Sequence, residues 1–237
     1  VTDPKALTFP DQPPAPAWDE AVTLLKSLDA LDGEGRITAH GKLLAKLPLH
    51  PRLGHMIAHA ADEATAFQAA LIGVVLGEQG LGGSDTDLAV RVRRVIGDSG
   101  KRAAEARRMA QGWAKLVGGG SGAGAFDIGR HLARAFPDRV AQAAGPRGQF
   151  RLANGRQGRI EETDALAREA FIVVADMTGK AASATIRAAA AIERQTIEEV
   201  FADRISTQTV LAFDREAKAV RARTQQRFGA LRLEDAP

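Results

Sequence analysis

The spacing of apolar residues changes at Gly145, and this change constrains the fold more than any other feature of the chain. Before it, apolar residues such as Leu53, Met56, Ile57 and Ala60 recur every three or four positions, which is typical of helices that bury one face. After it, short β-rich runs are separated by glycine-rich turns. Such a chain is predicted to be a multi-domain α+β protein.

The first fifty residues contain a compact helical pattern. Residues 11–18 are proline-rich and predict an extended lead-in, followed by a helix from Trp18. Two glycines then predict a turn, residues 36–37 a short strand, and Thr38 caps a helix predicted to end at Leu47. This order predicts a partial winged-helix-like module over residues 1–50.

The sequence ITAHGKLLAKLPLHPRLGHMI, residues 37–57, contains two prolines close together. Pro48 ends one predicted helix, and Pro51 suits the first position of the next. Without a flexible linker, the segments on either side are expected to move as one rigid unit. Residues 51–146 are predicted to be almost wholly helical and to form a bundle, with Ser84 or Asp85 capping one of its helices.

Residues 147–237 predict a small barrel. Five or six short β-rich runs are interrupted, after the third, by one helical interval, IERQTIEEVFAD. A β-sandwich usually lacks such an internal helix, so the pattern favours an OB-like β-barrel, a frequent platform for single-stranded nucleic acid.

Composition excludes several classes of protein. The chain has no cysteine, which excludes disulfides and thiolate metal sites and fits a reducing cytosol, so we expect a cytoplasmic protein. No apolar run is long enough to span a membrane. The chain does not begin with methionine, and we expect it to be a piece of a longer polypeptide.

Basic residues are concentrated in the second half of the chain. Acidic residues outnumber basic ones over residues 1–100, whereas basic residues are in excess afterwards, for a net charge of +3. Arginines can bind phosphate with two hydrogen bonds, so this half is predicted to bind nucleic acid. The predicted nucleic-acid-binding residues are Arg130, Arg134, Arg147, Arg151, Arg156, Arg159, Arg221 and Arg223. A solvated basic face without a ligand is the alternative interpretation.

Aromatic residues are few, and tyrosine is absent. Four phenylalanines could stack on bases, Phe150, Phe171, Phe213 and Phe228, but the barrel core is the more natural place for most of them. Binding is therefore expected to be dominated by phosphate contacts, sensitive to salt and weakly selective for sequence.

Several strings resemble one helicase family. Residues 32–57, DGEGRITAHGKLLAKLPLHPRLGHMI, are similar to the region behind the motor of DEAH-box helicases. Three further strings resemble the HrpB group of bacterial ATP-dependent DEAH-box helicases: ARAFPDRVAQ at 133–142, FRLANGRQG at 150–158 and FIVVADMTG at 171–179.

This resemblance implies an accessory C-terminal region with a partial winged helix, a ratchet domain and an OB-like domain. Its implied partners are single-stranded RNA or DNA and the RecA-like motor domains of the same polypeptide. ATP and Mg²⁺ would act in the parent helicase, whereas this chain contains neither a GxxxxGK[ST] loop nor a DEAH box. We therefore expect no catalytic residues, no cofactor and no ATPase activity in this chain alone.

The histidines form a second candidate group. His55 and His59 are four residues apart on a predicted helix, a spacing that can put two metal ligands on one face. No third ligand is evident in the sequence nearby, so no metal site is predicted, and His50 is expected to bond backbone groups at the helix junction. Two non-enzymatic alternatives stay open: a scaffold docking on the motor or a protein partner, and a winged-helix DNA-binding regulator.

Overall fold

The computed structural model describes residues 13–62, 64–120, 126–179, 184–214 and 219–236. The chain forms two compact units. One contains Val1–Ala70 and Ala110–Ala123, and the other contains Leu71–Met109 and Gly124–Pro237. The predicted division into residues 1–50, 51–146 and 147–237 follows sequence modules, and it stays a prediction.

The first unit begins with a helix, a turn and a second helix. Its helices are α1 (Ala15–Ser27), α2 (Ala39–Leu44) and α3 (Pro51–Asp62), with the start of α4 (Ala66–Gly77) and the end of α6 (Lys101–Leu116). Leu31 and Ile37 form an isolated antiparallel bridge at the predicted turn and short strand. The Oγ1 of Thr38 accepts a hydrogen bond from the Gly41 amide at 2.9 Å, which confirms the predicted cap of α2.

At the junction between α2 and α3, α3 begins where the sequence predicts, whereas α2 ends earlier than predicted. α3 begins at Pro51, as expected for a proline at the first helical position. α2 ends at Leu44 rather than Leu47, because Pro48 disfavours helical geometry at the residue before it. The amides of Leu53 and Gly54 both donate to the carbonyl of His50, so the short connection is tied to the first turn of α3.

The second unit contains the rest of α4 and α6, with α5 (Leu88–Gly97) and α7 (Ile128–Ala135). The apolar run from Leu71 to Val75 in α4 is buried on all sides, as its sequence predicts. The predicted cap of α5 was wrong by a few residues. Asp87, not Ser84 or Asp85, caps it, and its carboxylate accepts from the Ala89 amide at 2.8 Å.

Five strands close into a barrel. They are β1 (Val140–Ala143), β2 (Gln149–Leu152), β3 (Gln157–Arg159), β4 (Phe171–Thr178) and β5 (Ala184–Ala191). Their order around the barrel is β1-β2-β3-β5-β4, with β3 and β5 parallel and the other pairs antiparallel. The buried side chains of Phe150, Leu152, Ile172, Val174 and Ile186 fill the interior. The predicted α+β class with an OB-like barrel is confirmed.

The barrel differs from the expectation in which strands it uses. β1 lies within the segment predicted to be helical, and the last strands stay outside the barrel. These are β6 (Ser206–Asp214), β7 (Ala219–Phe228) and β8 (Leu231–Ala236), which form a separate antiparallel sheet. α8 (Arg194–Val200) follows the fifth strand instead of interrupting the barrel. Five strands already close the ring, so no barrel edge is left to pair with β6.

Within the described part of the chain, no helix combines the length and apolarity that crossing a membrane requires.

Candidate nucleic-acid interface

The outer surface of β2 and β3 carries two of the predicted arginines. In β2, Phe150 and Leu152 point into the core, whereas Gln149 and Arg151 point outward. In β3, Gly158 is buried and Arg159 is exposed. Gln149 pairs with Arg159 in the antiparallel ladder. Arg151, two residues further along β2, is therefore a diagonal neighbour of Arg159 on the same face, and residues in this arrangement lie about 7 Å apart.

A third arginine continues this face onto β5. Arg159 pairs with Thr185 in the parallel β3–β5 ladder, and Arg187 follows two residues later on β5. Arg187 is exposed between the buried Ile186 and Ala188. Arg187 was not among the predicted residues, although a single arginine between apolar residues indicates an outward position on a strand.

Arg147 lies beside this face in the turn between β1 and β2, where its side chain is exposed. The next residue, Gly148, has a φ of +80°, and a Cβ there would overlap the carbonyl oxygen of Ile160. Only glycine fits this close approach, which fixes the turn against the end of β3. We call Arg147, Arg151, Arg159 and Arg187 the barrel arginine face.

The barrel arginine face lies where OB folds bind ligands. In that fold the surface of the second and third strands and the loop between the first two contact oligonucleotides. Four guanidinium groups on one solvated surface, each able to bond a phosphate with two N–H groups, suit a polyanionic backbone.

Arg156 lies at the turn between β2 and β3 and is partly buried. Its amide donates to the Asn154 side chain at 3.0 Å, which fixes the turn. Its Nε is buried and makes no hydrogen bond within the described residues. Arg156 is therefore adjacent to the barrel arginine face, but part of its guanidinium is turned away from solvent.

Arg130 and Arg134 lie on α7, which packs against β4 and β5. The guanidinium of Arg130 bonds the carboxylates of Glu199 and Asp127. The hydrogen bond to Glu199 is the main reason that the pKa of Arg130 is raised, and the same bond lowers the pKa of Glu199. Arg130 therefore ties α7 to α8. Arg134 is half-buried in the last turn of α7.

Arg221 and Arg223 lie on β7, opposite Ala212 and Val210 of β6. Their separation by two residues puts them on one face of the strand, but their side chains lie outside the described part of the structure. Arg215 and Lys218, the basic residues that precede them in the sequence, lie outside the described residues. Of the eight predicted residues, Arg147, Arg151 and Arg159 belong to the barrel arginine face and Arg156 lies next to it. Arg130 and Arg134 lie on α7, and Arg221 and Arg223 lie on β7.

The candidate aromatic platforms are mostly core residues. Phe150, Phe171 and Phe228 are buried, and the ring of Phe228 stacks on Phe201 with centroids 4.5 Å apart. The side chain of Phe213 lies outside the described part. The three described rings cannot stack on bases without rearrangement, so the structure does not support a base-stacking role for them.

The histidines of the first unit form a cluster that the sequence analysis did not predict. His40 of α2 joins His55 and His59 of α3, so the expectation that no third ligand lies nearby was wrong. One ring nitrogen from each residue falls within 4.8 Å of the others. His50 is separate, and its Nδ1 accepts from the Arg52 amide at 3.3 Å, as expected for a junction residue.

Comparison with known proteins agrees with the fold and with the motifs. A family model described as "Helicase associated domain (HA2), winged-helix" matches residues 21–49. The ATP-dependent RNA helicase HrpB of Escherichia coli (strain K12) is 34% identical over 172 residues, which is 73% of this chain and 20% of that protein.

Two solved structures are similar over the whole chain. The crystal structure of E. coli DExH-box NTPase HrpB has a TM-score of 0.84 at 27% identity, and that of Escherichia coli DEAH/RHA helicase HrpB has a TM-score of 0.81 at 26% identity. Each is covered over less than a third of its own length, 28% and 29%. The chain is thus similar in sequence and fold to part of HrpB, consistent with its C-terminal region, and the predicted resemblance is confirmed.

Proposed function

We propose that this chain is the accessory C-terminal region of an HrpB-like ATP-dependent RNA helicase. In this proposal the barrel arginine face grips single-stranded nucleic acid for a RecA-type motor in the same polypeptide. The similarity to HrpB supports the helicase assignment, and the barrel arginine face supports the gripping role.

The observation that carries the proposal is the shared outward direction of Arg151, Arg159 and Arg187 on three neighbouring strands. A solvated basic surface can arise anywhere on a protein, but this one coincides with the ligand-binding surface of the OB fold. Backbone contacts of this kind hold a strand without reading its sequence, which suits an element that must accept successive nucleotides.

ATP and Mg²⁺ belong to the proposed parent helicase rather than to this chain. The sequence contains no GxxxxGK[ST] loop and no DEAH box to hold nucleotide phosphates and the metal. An ATPase assay on this chain should therefore give no turnover with or without oligonucleotide. Measurable turnover would contradict the division of roles between motor and accessory region.

A scaffold that docks its basic surface on the motor or a protein partner is the second candidate. Arg130 does not favour it over nucleic-acid binding, because its guanidinium is already engaged by Asp127 and Glu199 within the chain. An autonomous winged-helix DNA-binding regulator is weaker, because α2 has only 6 residues and little charge to present to a groove. The three-module division and a cytoplasmic location are also part of the proposal.

Fluorescence anisotropy with labelled oligo-U, oligo-dT and duplex DNA at several salt concentrations separates these candidates. The proposal expects single-strand preference, little dependence on sequence and affinity that falls steeply with salt. An absence of binding at low salt would favour the scaffold. Preference for duplex DNA of particular sequence would favour the regulator.

A further inference from the structure

The cluster of His40, His55 and His59 lies in the first unit and has no role in the proposed grip of nucleic acid. His55 and His59 are one turn apart on α3, so their side chains project from the same face. His40 approaches from α2. Gly41, the next residue of α2, packs against the loop after α1, because a Cβ there would overlap the carbonyl oxygen of Ala30.

The three imidazoles are in mutual contact. Ring centroids are 4.4 Å apart for His55 and His59, 5.1 Å for His40 and His55, and 5.5 Å for His40 and His59. The Nε2 of His40 lies 2.9 Å from the Nδ1 of His55, so one ring nitrogen points at the other. All three candidate ligand atoms lie within 4.8 Å of one another.

These distances are close to those of a metal site. Zinc binds imidazole nitrogen at about 2.0–2.1 Å, so tetrahedral ligand atoms lie about 3.3 Å apart. The His40–His55 pair is slightly closer than this, and side-chain torsions need to move the remaining nitrogens by no more than about 1.5 Å. A metal ion would replace the hydrogen bond between these two nitrogens, since each must be unprotonated to bind metal.

We propose that His40, His55 and His59 form a three-histidine site for a divalent transition metal of the zinc class. Neutral imidazole is a good ligand for Zn²⁺, Ni²⁺ and Cu²⁺ and a poor one for Mg²⁺ and Ca²⁺. His55 is buried, whereas His40 and His59 are partly exposed, so solvent can reach the cluster. The bound metal would clamp α2 to α3 across the proline-rich junction.

A chelator-competition titration of the chain with Zn²⁺ tests the site. The expected result is one equivalent of Zn²⁺ per chain, with affinity at least about tenfold weaker in His40→Gln and His59→Gln. His50→Ala is the matched control, since His50 lies in the same segment but outside the cluster, and it should bind like the wild type. Zinc should also raise the melting temperature of the wild type but not of the two glutamine variants.

Binding of Co²⁺ provides a readout that does not depend on variants. Three imidazoles and one water should give the intense visible absorption of four-coordinate cobalt, and Zn²⁺ should displace it. The proposal is overturned if the wild type fails to hold one equivalent of Zn²⁺ against the chelator. It is also overturned if folded His40→Gln and His59→Gln, judged by circular dichroism, keep wild-type affinity, or if Co²⁺ gives only the weak absorption of the hexa-aqua ion.

Discussion

Arg130 was predicted to bind nucleic acid, but its guanidinium forms ion pairs within the fold. Its bond to Glu199 joins α7 to α8, and its bond to Asp127 holds the residue that caps α7. Arg151 and Arg159 instead project from the outer face of β2 and β3. The distinction between basic side chains that hold the protein and those that face solvent is invisible in the sequence.

Arg130→Ala should lower the melting temperature at neutral pH while leaving affinity for single-stranded RNA within about twofold of wild type. The pKa of Glu199 is held below its ordinary value of 4.5 chiefly by Arg130. The stabilisation is therefore present above that pH and is lost as pH falls through the lowered pKa. Thermal unfolding at pH 7 and pH 3 should show the difference between variant and wild type shrinking in acid.

A loss of RNA affinity in Arg130→Ala as large as that in Arg151→Ala would contradict this assignment. Arg130→Lys serves as the control, because it keeps the charge but cannot make the same set of guanidinium bonds.

Asp87 provides a second test at the scale of one residue. Burial raises the pKa of this carboxyl above its ordinary value of 3.8, so the folded protein keeps a proton that the unfolded chain has released. Stability should therefore fall as pH rises from 3.8 through the raised pKa. Asp87→Asn keeps a cap for α5 but does not titrate, so its stability relative to wild type should increase over that interval.

Denaturant unfolding at pH 3 and pH 7 measures this change. Asp87→Ala is the control for capping and should be about 1 kcal/mol less stable than Asp87→Asn at both pH values. An unchanged difference between Asp87→Asn and wild type at the two pH values would contradict the role of burial.

At the scale of elements, the contact of α7 with the barrel depends on Gly129. A Cβ at this position would overlap the carbonyl oxygen of Ala191 in β5, so the helix approaches the strand with no side chain between them. Gly129→Ala is expected to reduce the free energy of unfolding by about 1–3 kcal/mol, since backbone on both sides must shift.

Denaturant unfolding of Gly129→Ala and of a control variant measures this loss of stability. Gly112→Ala in α6 is the control, because nothing lies within 4 Å of a Cβ built there, and it should be stabilising by up to about 1 kcal/mol. Equal stability of Gly129→Ala and the wild type would mean that α7 does not need this close contact.

The elements also show how far sequence reasoning reaches. Local signals sufficed for the cap at Thr38 and the start of α3 at Pro51, because each depends on nearby residues. β1 was not predicted, because its four residues follow soon after a helix and show too little alternation of apolar and polar side chains to indicate a strand. The exclusion of β6 to β8 from the barrel depends on ring closure, a long-range property that no local pattern encodes.

The candidate sites were likewise predictable only where the signal was local in the sequence. The concentration of basic residues could be read from the sequence, so Arg147, Arg151 and Arg159 of the barrel arginine face were predicted. The register that adds Arg187 could not be read, since it requires the parallel pairing of β3 with β5. His40 was missed because its distance from His55 is set by how α2 packs on α3.

At the scale of the whole molecule, the proposed function places nucleic-acid binding on the barrel arginine face and ATP hydrolysis in a motor outside this chain. The barrel supplies a rigid platform, since its strands close without free edges and its core is filled with apolar side chains. Arginines on such a platform are held at fixed spacing, which favours repeated contact with an evenly spaced phosphate backbone.

The most direct test is the salt dependence of oligo-U binding by Arg151→Ala/Arg159→Ala. Each phosphate contact on a single strand contributes about 0.7 to the slope of log K against log salt, so losing two should make the slope shallower by about 1.4. The charge-matched control, Arg93→Ala/Arg108→Ala, removes two exposed arginines on α5 and α6 and should keep the wild-type slope. A double variant on the barrel with the wild-type slope and affinity would contradict the account.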